Sequence, residues 1–133
     1  MKTEVRSYDM SARKFLDLTS DVRDFVTGLE DGLVHVFAPH ATVGLALMET
    51  GSGSEQDLAA AIDRLLPRDH NYTHSHGSPG HGADHLLPAF ISPSISVPVV
   101  EGGVRLGTWQ SLVLVDTNRD NPYRKVRFSF IMG

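Results

Sequence analysis

Leu33-Val34-His35-Val36-Phe37-Ala38-Pro39-His40-Ala41-Thr42-Val43-Gly44-Leu45-Ala46-Leu47-Met48-Glu49 holds two six-residue runs, 33–38 and 43–48, that are apolar at odd and even positions alike. Successive side chains of a strand point to opposite faces, so both runs read as strands needing cover on both sides. Pro39 cannot donate to a ladder and separates them. His35 alternates with Leu33 and Phe37 and reads as a hydrogen-bonded core histidine. Glu49 closes the second strand, where a carboxylate either reaches solvent or serves a site.

Outward from this pair the pattern continues. Residues 3–9 and 13–18 are short β-compatible segments joined by a polar turn, which reads as an opening hairpin. Thr19 or Ser20 can cap a helix whose Val22, Phe25, Val26 and Leu29 share one face. A second helix follows Thr50-Gly51-Ser52-Gly53, with Ser54 and Asp57 at capping-box spacing and Leu58, Ile62, Leu65 and Leu66 as its apolar stripe, ending at Pro67. The Gly/Ser loop lacks the Gly-Lys-Ser/Thr ending of a phosphate-binding loop, and Glu55 would compete with an anion there. Residues 85–90 read as a helical turn. Residues 94–100 and 104–115 read as strands joined by a tight Glu101-Gly102-Gly103 turn, with Gly107 marking a bulge or a close approach. The last strand, 123–132, places Val126, Phe128 and Phe130 inward and Lys125, Arg127 and Ser129 outward. Arg124 is in phase with the inward row and must meet an acid, a ligand or a carbonyl. Strands outnumber helices, so the expected class is α+β: a largely antiparallel sheet, or two packed sheets, with helices on one side.

The 133 residues, 41% hydrophobic, suit one domain spanning 1–133 with a core of its own. Twelve basic against 16 acidic residues give a net charge of -4; with no Lys/Arg run, nucleic acid and anionic membrane surfaces are not expected partners. Without cysteine, a metal would have His, Asp or Glu ligands. The first residues lack the apolar segment of a signal peptide and no run approaches membrane-spanning length, so a cytoplasmic protein is expected.

Residues 71–85 carry four of the seven histidines in a Gly- and Pro-containing stretch with almost nothing apolar. A loop of that length is functional or simply solvated, and composition alone leaves both open. Imidazole is a common metal ligand and is easily poised for proton transfer near neutrality, which points to metal or acid-base chemistry.

Six pieces then stand in order: His40-Ala41-Thr42, Glu49, Tyr72-Thr73-His74, His85 eleven residues on, Gly107-Thr108-Trp109-Gln110 and Arg124-Lys125-Val126. Together they resemble the YjbQ-like family, also called the secondary thiamine-phosphate synthase family, over nearly the whole chain. The chain departs from that pattern at Met48, where the family usually has Asn, and at Ser75, where it often has an acid. His76 and His81 are not part of the resemblance. What it implies is an α+β, sandwich-like homotrimer whose clustered histidines can hold a metal and which has weak thiamine-phosphate-forming activity. Joined to the residue reading, it makes His40, His74 and His85 the expected metal ligands. Glu49 becomes a fourth ligand or general base, with His40 beside it in catalysis, and Thr108, Gln110 and Arg124 become phosphate-binding groups. A histidine cluster suits zinc better than magnesium, which prefers oxygen ligands. The expected partner is a small phosphorylated metabolite, held either by an enzyme or by a non-catalytic metal- or metabolite-binding trimer.

Overall fold

The computed structural model describes residues 1–133 as two antiparallel sheets and four short helices. The first sheet has five strands in the order β1 (Lys2–Asp9), β8 (Tyr123–Met132), β3 (Gly32–Phe37), β5 (Ser94–Val100) and β6 (Gly103–Val104); the second has three, β2 (Phe15–Asp17), β7 (Ser111–Asp116) and β4 (Val43–Met48). The main core lies between them. Val34, Val36, Val97, Val126 and Phe128 of the first sheet meet Val43, Leu45, Leu112 and Leu114 of the second, with Val22, Phe25 and Val26 of α1 (Thr19–Val26) alongside. Phe25 and Phe128 pack at 5.7 Å between ring centroids. The opposite face of the second sheet, carrying Val113 and Val115, is covered by Ile62 and Leu66 of the α2 region (Ser54–Leu65), Ala83 of α3 (His81–Asp84) and Leu87 of α4 (Leu87–Phe90). The layers are therefore sheet, sheet, helices, as expected of an α+β sandwich.

Burial on both faces belongs to β7 and to the start of β4, where Val43, Gly44 and Leu45 are buried. It does not extend to β3. Its even positions Val34 and Val36 are fully buried, whereas Leu33 and Phe37 are 43% and 39% exposed on the outer face of the first sheet. His35 lies on that outer face too, with Nδ1 2.8 Å from the Ser96 hydroxyl. It is hydrogen-bonded, as read from the sequence, but it is not a core residue.

Several local expectations give way to long-range pairing. The opening hairpin does not form: β1 pairs with β8 in one sheet and β2 with β7 in the other. The chain crosses between sheets at Met10, whose N–H donates to Pro122 O. The run 104–115 is likewise cut, because the chain leaves the first sheet after Val104 and enters the second at Ser111. Between them a turn is closed by Gln110 N–H to Gly107 O and Gly107 N–H to Gln110 Oε1. Thr19 does not cap α1; its hydroxyl accepts the Leu112 N–H of β7, and Asp17 Oδ1 takes the Thr19 N–H. In α2, Gly53 at φ +94° stands at the cap, and Glu55 folds back to accept the Gly51 N–H. Leu65, expected in the buried stripe, is 56% exposed.

The β5–β6 hairpin follows the sequence reading closely. Val100 pairs with Gly103, leaving Glu101 and Gly102 as a two-residue turn with φ of +51° and +74°, the primed geometry that matches strand twist. Alternation along β8 also holds, with Arg124, Val126, Phe128 and Phe130 buried; Ser129, expected outward, is buried as well. No helix is long and apolar enough to cross a membrane.

Candidate metal centre

The histidine stretch is fastened by one buried acid. Asp84 is fully buried and accepts hydrogen bonds from Arg68, from the Thr117 hydroxyl (2.7 Å) and from Asn118 Nδ2 (3.1 Å). Arg68 also donates to Pro79 O, so one guanidinium ties the two ends of the loop together while the Asp84 carboxylate fastens it to the turn after β7. A buried carboxylate is costly unless its oxygens are hydrogen-bonded, and here each Asp84 oxygen accepts two such bonds. Asp84 precedes His85, and anchoring one fixes the backbone from which the other projects. Gly80 at φ +86° begins α3, and the His85 N–H bonds to His81 O across one helical turn. Residues four apart on a turn share a face, which sets His81 and His85 side by side. Gly82 allows the loop strand to close over them: a Cβ there would lie 2.5 Å from His74 O and 2.7 Å from Tyr72 Cβ.

The result is a packed group of imidazoles. His74 lies 4.4 Å from His85 and 4.9 Å from His81 between ring centroids, His81 lies 4.4 Å from His85, and His76 stacks at the edge, 4.3 Å from His74. One ring nitrogen from each of His74, His81 and His85 falls within 4.8 Å of the other two. Three nitrogens bound at zinc distance would be about 3.4 Å apart, so the rings would have to draw closer to share one ion. His81 Nδ1 lies 2.9 Å from Asp120 Oδ2, while its Nε2 is buried with no hydrogen-bond partner. A carboxylate on one ring nitrogen with the other nitrogen left free is the arrangement that orients a metal-ligating histidine. Donors from Ser78 and from His81 hold Asp120 below the usual carboxylate range. Loss of hydration, then the neighbouring imidazoles, hold His74 and His85 below the usual histidine value, keeping lone pairs available at neutrality. The residues present fit a divalent metal of the zinc type.

The sequence-predicted residues divide. His74 and His85 come together as expected, and His81 joins them; His40 does not. His40 Nε2 accepts the Lys125 N–H at 2.9 Å, and its value is lowered by burial and then by Arg124. Arg124, 3% exposed, forks onto Asp116 (2.7 and 3.2 Å) and donates to Thr42 Oγ1 at 2.9 Å, so the acid required by its inward phase is Asp116. Thr108 and Gln110 line a separate polar hollow with Arg23. Glu49 is exposed, and the cavity over the histidines includes none of Glu49, Thr108, Gln110 or Arg124. His81 lies outside the family resemblance, and the helical turn expected at 85–90 begins at His81 instead; the four-residue spacing of His81 and His85 is the signal in the sequence that points to it.

The family model for UPF0047 proteins of the YjbQ-like type matches residues 3–133. This chain belongs to the YjbQ-like UPF0047 family. UPF0047 protein Rv2556c of Mycobacterium tuberculosis is 59% identical to it over 133 residues, all of both chains. UPF0047 protein YugU of Bacillus subtilis is 26% identical over 123 residues, 90% of each chain. Among solved structures, hypothetical protein APE1520 of Aeropyrum pernix superposes with a TM-score of 0.89 at 28% identity over all of both chains. A YjbQ/UPF0047 protein of Clostridium acetobutylicum does so at 0.83 and 26% over 96% of this YjbQ-like chain and 99% of its own.

Proposed function

We propose that this YjbQ-like protein is a metal-dependent enzyme of small phosphorylated metabolites, with zinc held by His74, His81 and His85. Its activity would include weak joining of a pyrimidine pyrophosphate to a thiazole phosphate, as the sequence resemblance implies. The observation that carries the metal reading is the buried, partnerless His81 Nε2 beside two further imidazoles. Three neutral ligands that leave a position open are a catalytic rather than a structural arrangement. Zinc bound there would polarise a phosphoryl oxygen or acidify a water. The protein's part is to aim His81 through Asp120, to keep His74 and His85 unprotonated, and to hold the loop through Asp84. His40 and Glu49 stay candidates for proton transfer, and Thr108, Gln110 and Arg124 for ligand binding, in an assembled homotrimer that brings neighbouring chains' surfaces to the histidine cavity.

A second reading has its own support. The residues that line the histidine cavity include no carboxylate, and the acid beside them, Asp120, is engaged with His81, which favours a non-catalytic metal- or phosphometabolite-binding homotrimer. Zinc titration of chelator-stripped protein, followed by assay of the loaded protein with the two phosphorylated precursors, separates the cases. Zinc at one per chain with product formation supports the enzyme; zinc without product supports the binding protein; no zinc binding defeats the metal-dependent enzyme and leaves only phosphometabolite binding.

A further inference from the structure

Arg68 borders two cavities. One lies over the histidines; the other, of 190 Å³, is walled by Lys14, Asp63, Arg68, Thr117 and Arg119, with no apolar residue among them. Arg68 is committed to Asp84 and Pro79 O, and the Thr117 hydroxyl donates to Asp84. Lys14 and Arg119 are different: neither side chain makes an ion pair or a hydrogen bond within the chain. Their meeting is built by the sheet. Asp116 N–H bonds to Lys14 O, and Phe15 pairs with Val115, which sets the turn before β2 against the turn after β7 and brings the two cations to one hollow. Like charges brought to a recess repel unless an anion lies between them, and a guanidinium with an ammonium is a donor set suited to phosphoryl oxygens. Asp63 on the same wall opposes a bare anion, but it can accept a hydrogen bond from a ligand hydroxyl or amine.

We propose that this hollow seats the phosphoryl group of a phosphomonoester carrying a hydroxyl or amino group, with Lys14 and Arg119 on the phosphoryl oxygens and Asp63 on the neighbouring donor. Arg68 walls both this hollow and the cavity over the histidines, so a molecule anchored here has the histidines on the far side of that one side chain. Any role for that proximity rests on the metal reading above, whereas phosphoryl binding does not.

The probes are inorganic phosphate and glycerol 3-phosphate, titrated calorimetrically into chelator-stripped and zinc-loaded protein. Both should bind stripped protein, glycerol 3-phosphate more tightly. Lys14→Ala and Arg119→Ala should each weaken binding at least about tenfold, as expected for one charge-assisted contact. Lys14→Arg should restore much of the loss, Arg105→Ala, at an exposed cation outside all of these hollows, should have no effect, and zinc affinity should be unchanged in all variants, which also reports their folding. Asp63→Asn should weaken glycerol 3-phosphate but not inorganic phosphate. Binding that ignores Lys14 and Arg119, or appears only with zinc present, overturns the hollow while leaving the metal centre intact. Absence of phosphate binding in both forms overturns it as well. Phosphate binding that follows the two cations in a protein that takes up no zinc upholds the hollow and removes the metal reading instead.

Discussion

Asp120 is the smallest lever on the proposed centre. Its carboxylate touches the ring of His81 rather than the metal position, and loss of such an orienting partner typically costs about 10–100-fold in metal affinity. Asp120→Ala should therefore weaken zinc binding within that range while leaving the unfolding midpoint of the stripped protein near wild type. His76→Ala should change zinc affinity little, since His76 stands outside the group of three. Asp84 acts oppositely. Removing a buried charge partner leaves Arg68, Thr117 and Asn118 with unmet donors, so Asp84→Ala should cost about 3–5 kcal/mol in urea unfolding. Acid should act through the histidines. His40, His74 and His85 have folded values below the ordinary 6.5, so between those values and 6.5 the unfolded chain binds more protons than the folded one. Stability then rises with pH across that window, is fully present above it, and is lost as pH falls through the lowered values. Urea midpoints measured between about pH 7.5 and about pH 5 should decline, and His40→Gln should flatten part of that slope.

At the level of elements, two glycines set how closely segments approach. Gly44 of β4 has no room for a methyl group because Ile91 O and the Ile91 side chain occupy the place where Cβ would go. Gly82 of α3 is pressed by His74 O and Tyr72. Gly44→Ala should cost about 1–3 kcal/mol of global stability by overpacking with little effect on zinc. Gly82→Ala should shift the 72–74 backbone and lower zinc affinity more than it lowers stability. Paired denaturation and zinc titrations on both variants check this contrast; equal effects on the two readouts would remove Gly82 from the argument.

For the whole molecule, the outer face of the first sheet matters most. A polar row runs across four strands: Thr3 and Ser129 hydroxyls 3.1 Å apart, then His35 with Ser96 at 2.8 Å. Around it Val5, Leu33, Phe37 and Ile131 are each between 39% and 49% exposed. Exposed apolar residues grouped about a satisfied polar row suit self-association better than solvent. The proposed homotrimer would cover this face. Light scattering at micromolar concentration should give three chains per particle, and Phe37→Asp should shift the mass toward one chain while circular dichroism stays unchanged. A wild-type mass of one chain as concentration rises would reject the trimer.

Much of this was legible from residue order. The inward phase of Arg124 with Val126 and Phe128, the Glu101-Gly102 turn, the helical stripe of Val22, Phe25 and Val26, and the concentration of histidines in one loop are local patterns, set by side-chain periodicity and backbone sterics. The α+β class followed from them. The tertiary structure decided which sheet each strand joined, that Arg124 meets Asp116, and that His81 rather than His40 completes the cluster with His74 and His85. Those outcomes depend on groups far apart in sequence: β1 pairs with β8 rather than with β2, and Asp84 is secured by Thr117 and Asn118. Local propensity cannot rank such long-range partners, because the energy that selects them arises only when the sheets close over the core and each buried polar atom finds its donor or acceptor.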